Sequence, residues 1–136
     1  MRRTLDFLLF DWLGAASLTQ RARFAEHSAE TFASVLDTCE RIAREKFAPF
    51  NRLADTQEPR VVSGPDGERV HLPHATRDAL RAYAESGMLA AAQDYAVGGM
   101  QLPCVIEMAA NAFFHKASIA MTGYALLAFL AAGQLP

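Results

Sequence analysis

The sequence predicts an all-α fold: one helical domain over residues 1–136, a bundle of about six helices with one loop-rich or short-hairpin excursion at about residues 55–74. Three observations carry that expectation. Apolar residues recur at three- and four-residue steps through most of the chain, the spacing that gathers them on one face of a helix. One region, residues 55–73, carries turn chemistry in place of a helical period. A glycine pair followed by a proline, Gly98-Gly99-Met100-Gln101-Leu102-Pro103, stands between two helical patterns. Glycine admits positive φ and proline suits a first helical position, so this segment reads as a rigid corner that aims one helix at an angle to the one before it.

Residues 5–13 open with Leu5, Phe7, Leu8, Leu9, Phe10, Trp12 and Leu13. Such a helix is apolar around most of its circumference and asks for more than one packing neighbour. Gly14 is placed to end it, and a shorter helix is expected over residues 19–26. The clearest helix covers residues 28–48. Ser28 is a good N-cap, and Glu30 in the first turn suits the helix dipole. Phe32, Val35, Leu36, Cys39, Ile42, Ala43 and Phe47 form its apolar stripe. The other face offers Asp37 to Arg41, Glu40 to Arg44 and Arg41 to Glu45 as solvated i,i+4 pairs. Pro49 disfavours helix at Ala48 and is expected to stop it.

In the excursion, Pro65-Asp66-Gly67 is a turn signal between Arg60-Val61-Val62 and Arg69-Val70-His71-Leu72, which predicts a small hairpin. A helix follows over 75–86 with Ala79, Leu80 and Tyr83 inward and Gly87 beyond its end. After the corner, residues 103–116 form a fifth helix with Ile106, Ala110, Phe113, Phe114 and Ala117 as its apolar line. Ser118 caps a sixth carrying Ile119, Met121, Tyr124, Leu127, Phe129 and Leu130.

A formal net charge of −2 gives no basic footprint for nucleic acid. Cys39 and Cys104 fit no metal or redox spacing, and both are expected as buried free thiols. The start, Met1-Arg2-Arg3 before leucines and phenylalanines, is not a signal peptide, because Asp6 and Asp11 interrupt the apolar run. Residues 117–133 hold no charge but contain Ser118, Thr122 and two glycines, so a buried core helix is expected there and not a membrane span. An uncharged final helix that needs burial on all sides suggests part of a larger protein.

Two polar groupings invite a chemical reading. His71 and His74 lie three apart with Asp66 and Asp78 near in sequence, but Pro73 intervenes and no third ligand follows, which makes them a loop pair without metal. Glu107, Asn111 and His115 recur every four residues as one strip of the fifth helix. That strip is compatible with acid–base work, and a solvated or interface-facing edge is the simpler expectation. No nucleophile with an adjacent base is present, and one glycine pair is not a phosphate-cradling loop. The residues alone therefore define no catalytic residues.

The pattern resembles the N-terminal helical domain of the acyl-CoA dehydrogenase family over nearly the whole chain. It is most similar to the long-form members related to methylthiopropionyl-CoA dehydrogenase. The resemblance rests on Asp6-Phe7-Leu8-Leu9-Phe10-Asp11-Trp12-Leu13-Gly14 and Phe47-Ala48-Pro49-Phe50-Asn51-Arg52 followed by Asp55. It continues in Gly67-Glu68-Arg69-Val70-His71-Leu72-Pro73, Tyr83-Ala84-Glu85-Ser86-Gly87, the segment from Asp94 to Pro103, and Ala117-Ser118 with Tyr124. The chain departs where the family usually has tryptophan (Met88), often a third glycine (Gln101), and an asparagine (Ser118).

The resemblance implies a cytoplasmic FAD flavoprotein of fatty-acid metabolism, with a central β domain and a C-terminal helical domain that these 136 residues lack. Such enzymes oxidise an acyl-CoA to the α,β-enoyl-CoA, a carboxylate taking the α proton while hydride passes to the flavin, which an electron-transferring flavoprotein reoxidises. The base and most flavin contacts would lie outside this domain, leaving it inactive alone and with no FAD bound. It would supply one wall of the acyl pocket, with Phe113, Phe114, Met121 and Tyr124 as the expected lining. The alternative is a free-standing helical interaction module. Both readings expose apolar helices and predict self-association.

Overall fold

The computed structural model describes the backbone of residues 1–65 and 67–132 and the side chains of residues 1–65 and 67–125. Among these residues are α1 (Arg2–Asp6), α2 (Ala29–Ile42), α3 (Asn51–Thr56), α4 (His74–Glu85), α5 (Cys104–Ala117) and α6 (Ile119–Ala132). The antiparallel pair β1 (Arg60–Gly64) and β2 (Gly67–His71) interrupts them. The fold is an all-α bundle with a short hairpin excursion, as its apolar periodicity predicts.

The first helix begins earlier than expected and is less buried. Arg2 Nε donates to Asp6 Oδ1 at 2.8 Å and its Nη1 reaches Asp37 Oδ1 on α2 at 2.6 Å, which holds the first turn against the bundle. The helical path continues in π form over Phe7–Trp12 and ends before Gly14 at φ 61°. Leu9 is buried, but Phe7, Trp12 and Leu13 are 56%, 70% and 55% exposed, so part of the apolar circumference of this helix stays uncovered. Residues 19–26 are not one helix. They form 3-10 turns, Ala15–Gln20 and Ala22–Phe24, separated by extended Arg21. Short polar segments cannot repay helix nucleation without an apolar stripe to bury.

Ser28 starts α2 with a reciprocal cap: Thr31 N donates to Ser28 Oγ at 3.2 Å, and Ser28 N donates to Thr31 Oγ1 at 3.0 Å. Pro49 does not end the helical path. A π turn over Ala43–Phe47 leads into a 3-10 turn, Ala48–Phe50, and then α3, so the excursion begins after Thr56. Phe47 absorbs the change at φ −106°, and Pro49 lies in the first turn of a new helical run, where its missing N–H is not needed. The three expected i,i+4 pairs are replaced among the described residues by Asp37 with Arg2 and by Arg44 with Glu45 at 3.5 Å. Exposed pairs hold each other too weakly to dictate which partner is taken.

The core lies where α2 and its extension meet α5, with α4 and α6 closing the far side. Phe32, Leu36, Cys39, Ala43 and Phe47 face Ile106, Ala110, Phe113 and Phe114 as one cluster. Phe114 is central, its ring 5.0 Å from Phe47 and 4.9 Å edge-on to Tyr83 of α4. Cys39 is buried as expected, and desolvation pushes its thiol up to about 12. Cys104 is exposed, against expectation, because the first turn of α5 presents it outward. Pro103 is the N-cap of α5 and not its first helical residue.

Ser118 caps α6: its Oγ accepts from Met121 N at 3.4 Å, and Thr122 Oγ1 donates to the Ser118 carbonyl at 2.7 Å. The hairpin pairs Arg60 with His71 through Gly64 with Gly67, and every strand residue is exposed. Asp66 of the predicted turn, and the side chains of Leu127, Phe129 and Leu130, lie outside the described residues.

Candidate functional site

The corner between α4 and α5 is built by backbone pairing. Gly98 N donates to Tyr95 O and Gly99 N to Asp94 O, each at 3.0 Å. Met100 N, Gln101 N and Leu102 N then donate to Ala90, Gln93 and Ala91 carbonyls at 3.2, 2.9 and 2.8 Å. The glycines have different duties. Gly98 takes φ 80°, a left-handed backbone. Gly99 does not have positive φ, but a Cβ there would overlap the Gln93 carbonyl and stand 2.7 Å from Gln93 Cβ. Gln101 also adopts a left-handed backbone, at φ 51°.

A segment 70 residues away holds the corner in place. His27 Nε2 lies 3.0 Å from the Met100 carbonyl, 3.2 Å from the Gln101 carbonyl and 3.2 Å from Tyr95 Oη. Carbonyls only accept, so Nε2 carries the proton. Arg23 pairs with Asp94 at 2.5 Å and donates to the Ala92 carbonyl, while Gln101 Nε2 donates to the Arg23 carbonyl. Neither Arg23 nor His27 stands out in the sequence, since their partners lie beyond α2, α3, the hairpin and α4.

The polar strip of α5 divides. Glu107 is 4% exposed, against the expected solvated edge. Burial raises its carboxyl above the usual range. Asn111 Oδ1 accepts from Tyr83 Oη at 2.9 Å, and desolvation together with the nearby Glu107 pushes the phenol up to about 12. His115 is half-buried one turn on. The strip thus joins a tyrosine that its own spacing could not reveal.

The four expected acyl-lining residues lie on α5 and α6 but do not share one surface. Phe114 and Met121 are fully buried in the core, and Tyr124 is half-buried. Phe113 is 4% exposed and borders a groove of about 280 Å³ with Ala43, Ala48 and Ala117, rimmed by Arg44 and Lys116. On the outward side of α5 and the start of α6, Met108 is 61% and Ile119 68% exposed. His74 Nδ1 meets Asp78 at 2.8 Å. Among the described residues no group of three or more histidine, cysteine or acidic side chains is arranged for a metal ion, and no helix is long and apolar enough to cross a membrane. Comparison with protein-family models and with curated proteins finds no match.

Proposed function

We propose that this chain is the N-terminal helical domain of a FAD-dependent acyl-CoA dehydrogenase, supplying part of an acyl-pocket wall and inactive alone. The observation that carries the reading is the backbone of Gln101. It stands at φ 51° where the family often has a third glycine, so the corner keeps a glycine-like conformation after the side chain has changed. Ser118 likewise caps α6 where the family has asparagine. The uncovered apolar side chains Trp12, Met108 and Ile119 suit a domain that rests on further domains. On this reading FAD, the acyl-CoA substrate, the electron-transferring flavoprotein and a cytoplasmic location belong to the complete enzyme. Phe113, Phe114, Met121 and Tyr124 are its acyl-facing candidates.

The test is to follow the reading frame beyond codon 136. Continuation into β-rich and then helical sequence carrying a carboxylate base is expected, and a stop with no flavoprotein gene beside it overturns the reading. The 136-residue chain with excess FAD should show no dye reduction with acyl-CoA, because a pocket wall without base or flavin stabilises no transition state. A stable yellow complex that turns over would remove the inactive-alone element. The same exposed apolar residues also fit a free-standing interaction module, for which the stop codon would be the expected result.

A further inference from the structure

Directly opposite residues of an antiparallel pair share one face of the ribbon, and alternate residues along each strand return to it. The register Arg60↔His71, Val62↔Arg69 and Gly64↔Gly67 therefore gathers Arg60, Arg69 and His71 on one face of the hairpin. Glu68 belongs to the other face, with Val61, Ser63 and Val70. The basic face is concave. Val62, Arg69 and His71 border a hollow of about 340 Å³ together with Arg77 of α4. A second hollow, of about 320 Å³, lies between Arg60, His71 and Pro73, with Gln57 and Glu58 on its rim. His71 borders both, which makes them two ends of one trough. Among the described residues Glu58 is the one acid lining it, and it stands at the second end. The Arg60 and Arg77 side chains have no hydrogen bond or ion pair with a described residue, whereas Arg69 already interacts with another group. Asp78, next to Arg77, is taken by His74. α4 starts beside the trough at Pro73, with no side-chain cap and no acidic residue in its first turn, so the positive end of its dipole adds to the same field.

We propose that this trough is a binding site for the diphosphate group of a small molecule, held by Arg60, His71 and Arg77. Each guanidinium offers a planar fork of donors that matches two phosphoryl oxygens, and the His71 ring donates an N–H between them. The spacing favours two linked anionic groups over one. Arg60 and His71 face each other across strands about 5 Å apart, while Arg77 comes from α4 at the other end. A single phosphate meets the cations of one hollow, and a diphosphate places a charged group in each. With a formal net charge of −2, the chain offers a nucleic-acid strand little to gain beyond the trough. The trough shares no lining residue with the groove at Phe113 and does not depend on the acyl-CoA reading.

The experiment titrates the 136-residue chain with inorganic pyrophosphate at constant ionic strength, following backbone amides by NMR, with inorganic phosphate and a short single-stranded oligonucleotide as comparisons. Saturable shifts are expected at residues 60–64, 67–71 and 74–78 and not in α2, with pyrophosphate binding several-fold more tightly than phosphate. Because the contacts are exposed, Arg60→Gln or Arg77→Gln should each weaken binding about three- to fivefold, and the pair together about tenfold or more. Raising the salt concentration should weaken it further. Shifts that do not saturate or that spread over the whole chain overturn the proposal. So do equal affinities for phosphate and pyrophosphate, tighter binding of the oligonucleotide, or a double variant that binds as the wild type does. The wild-type titration needs no variant and decides the question even where the altered hairpin folds poorly.

Discussion

The two corner glycines should differ sharply in what an added methyl does. In Gly98→Ala the new Cβ meets nothing within 4 Å, and the cost is that of holding an L-residue at φ 80°, about 1–2 kcal/mol. In Gly99→Ala the Cβ falls inside the van der Waals envelope of the Gln93 carbonyl, a backbone group that no rotamer change can move aside. The strand of backbone bonds must then shift. Overpacking costs about 1–3 kcal/mol. Weakening Gln101 N to Gln93 O and one neighbouring bond adds about 1 kcal/mol each. The sum is about 3–5 kcal/mol, a third or more of the total stability of many domains. Urea denaturation of both variants and wild type, followed by far-ultraviolet circular dichroism at fixed pH, measures the two losses. A Gly99→Ala loss no larger than that of Gly98→Ala would refute the argument that close backbone approach selects glycine at 99.

Three further outcomes are expected. Phe114→Ala removes the ring that joins Phe47 to Tyr83 at the centre of the core and should cost about 3–5 kcal/mol in denaturation. His27→Ala should cost about 1–2 kcal/mol and speed amide exchange at residues 99–102 relative to α2, since the Met100 and Gln101 carbonyls lose their shared donor. A thiol reagent at mildly alkaline pH should modify Cys104 in the native chain and reach Cys39 only on unfolding, because Cys39 is buried with its thiol pushed up to about 12. Equal labelling rates at the two positions would contradict the packing of α2 on α5.

The sequence by itself determined what depends on neighbours along the chain. The stripe of α2 from Phe32 to Phe47, the Ser28 and Ser118 caps, the hairpin and the left-handed turn at Gly98 all follow from local dihedral preferences and from period, and they stand where those rules place them. Tertiary structure decided everything that needed a partner distant in sequence. Pro49 passed from a helix stop to the first turn of a continuing path because Phe47, anchored in the core, took up the bend. Asp37 left its predicted helical neighbour for Arg2, 35 residues away, and His27 found its acceptors 73 and 74 residues on. Glu107 shows the difference most plainly. Four-residue spacing assigned it to a polar strip with Asn111 and His115. Only the packing of the folded chain left that residue 4% exposed, and desolvation, unlike helical period, is a property of the whole assembly and of no segment in it.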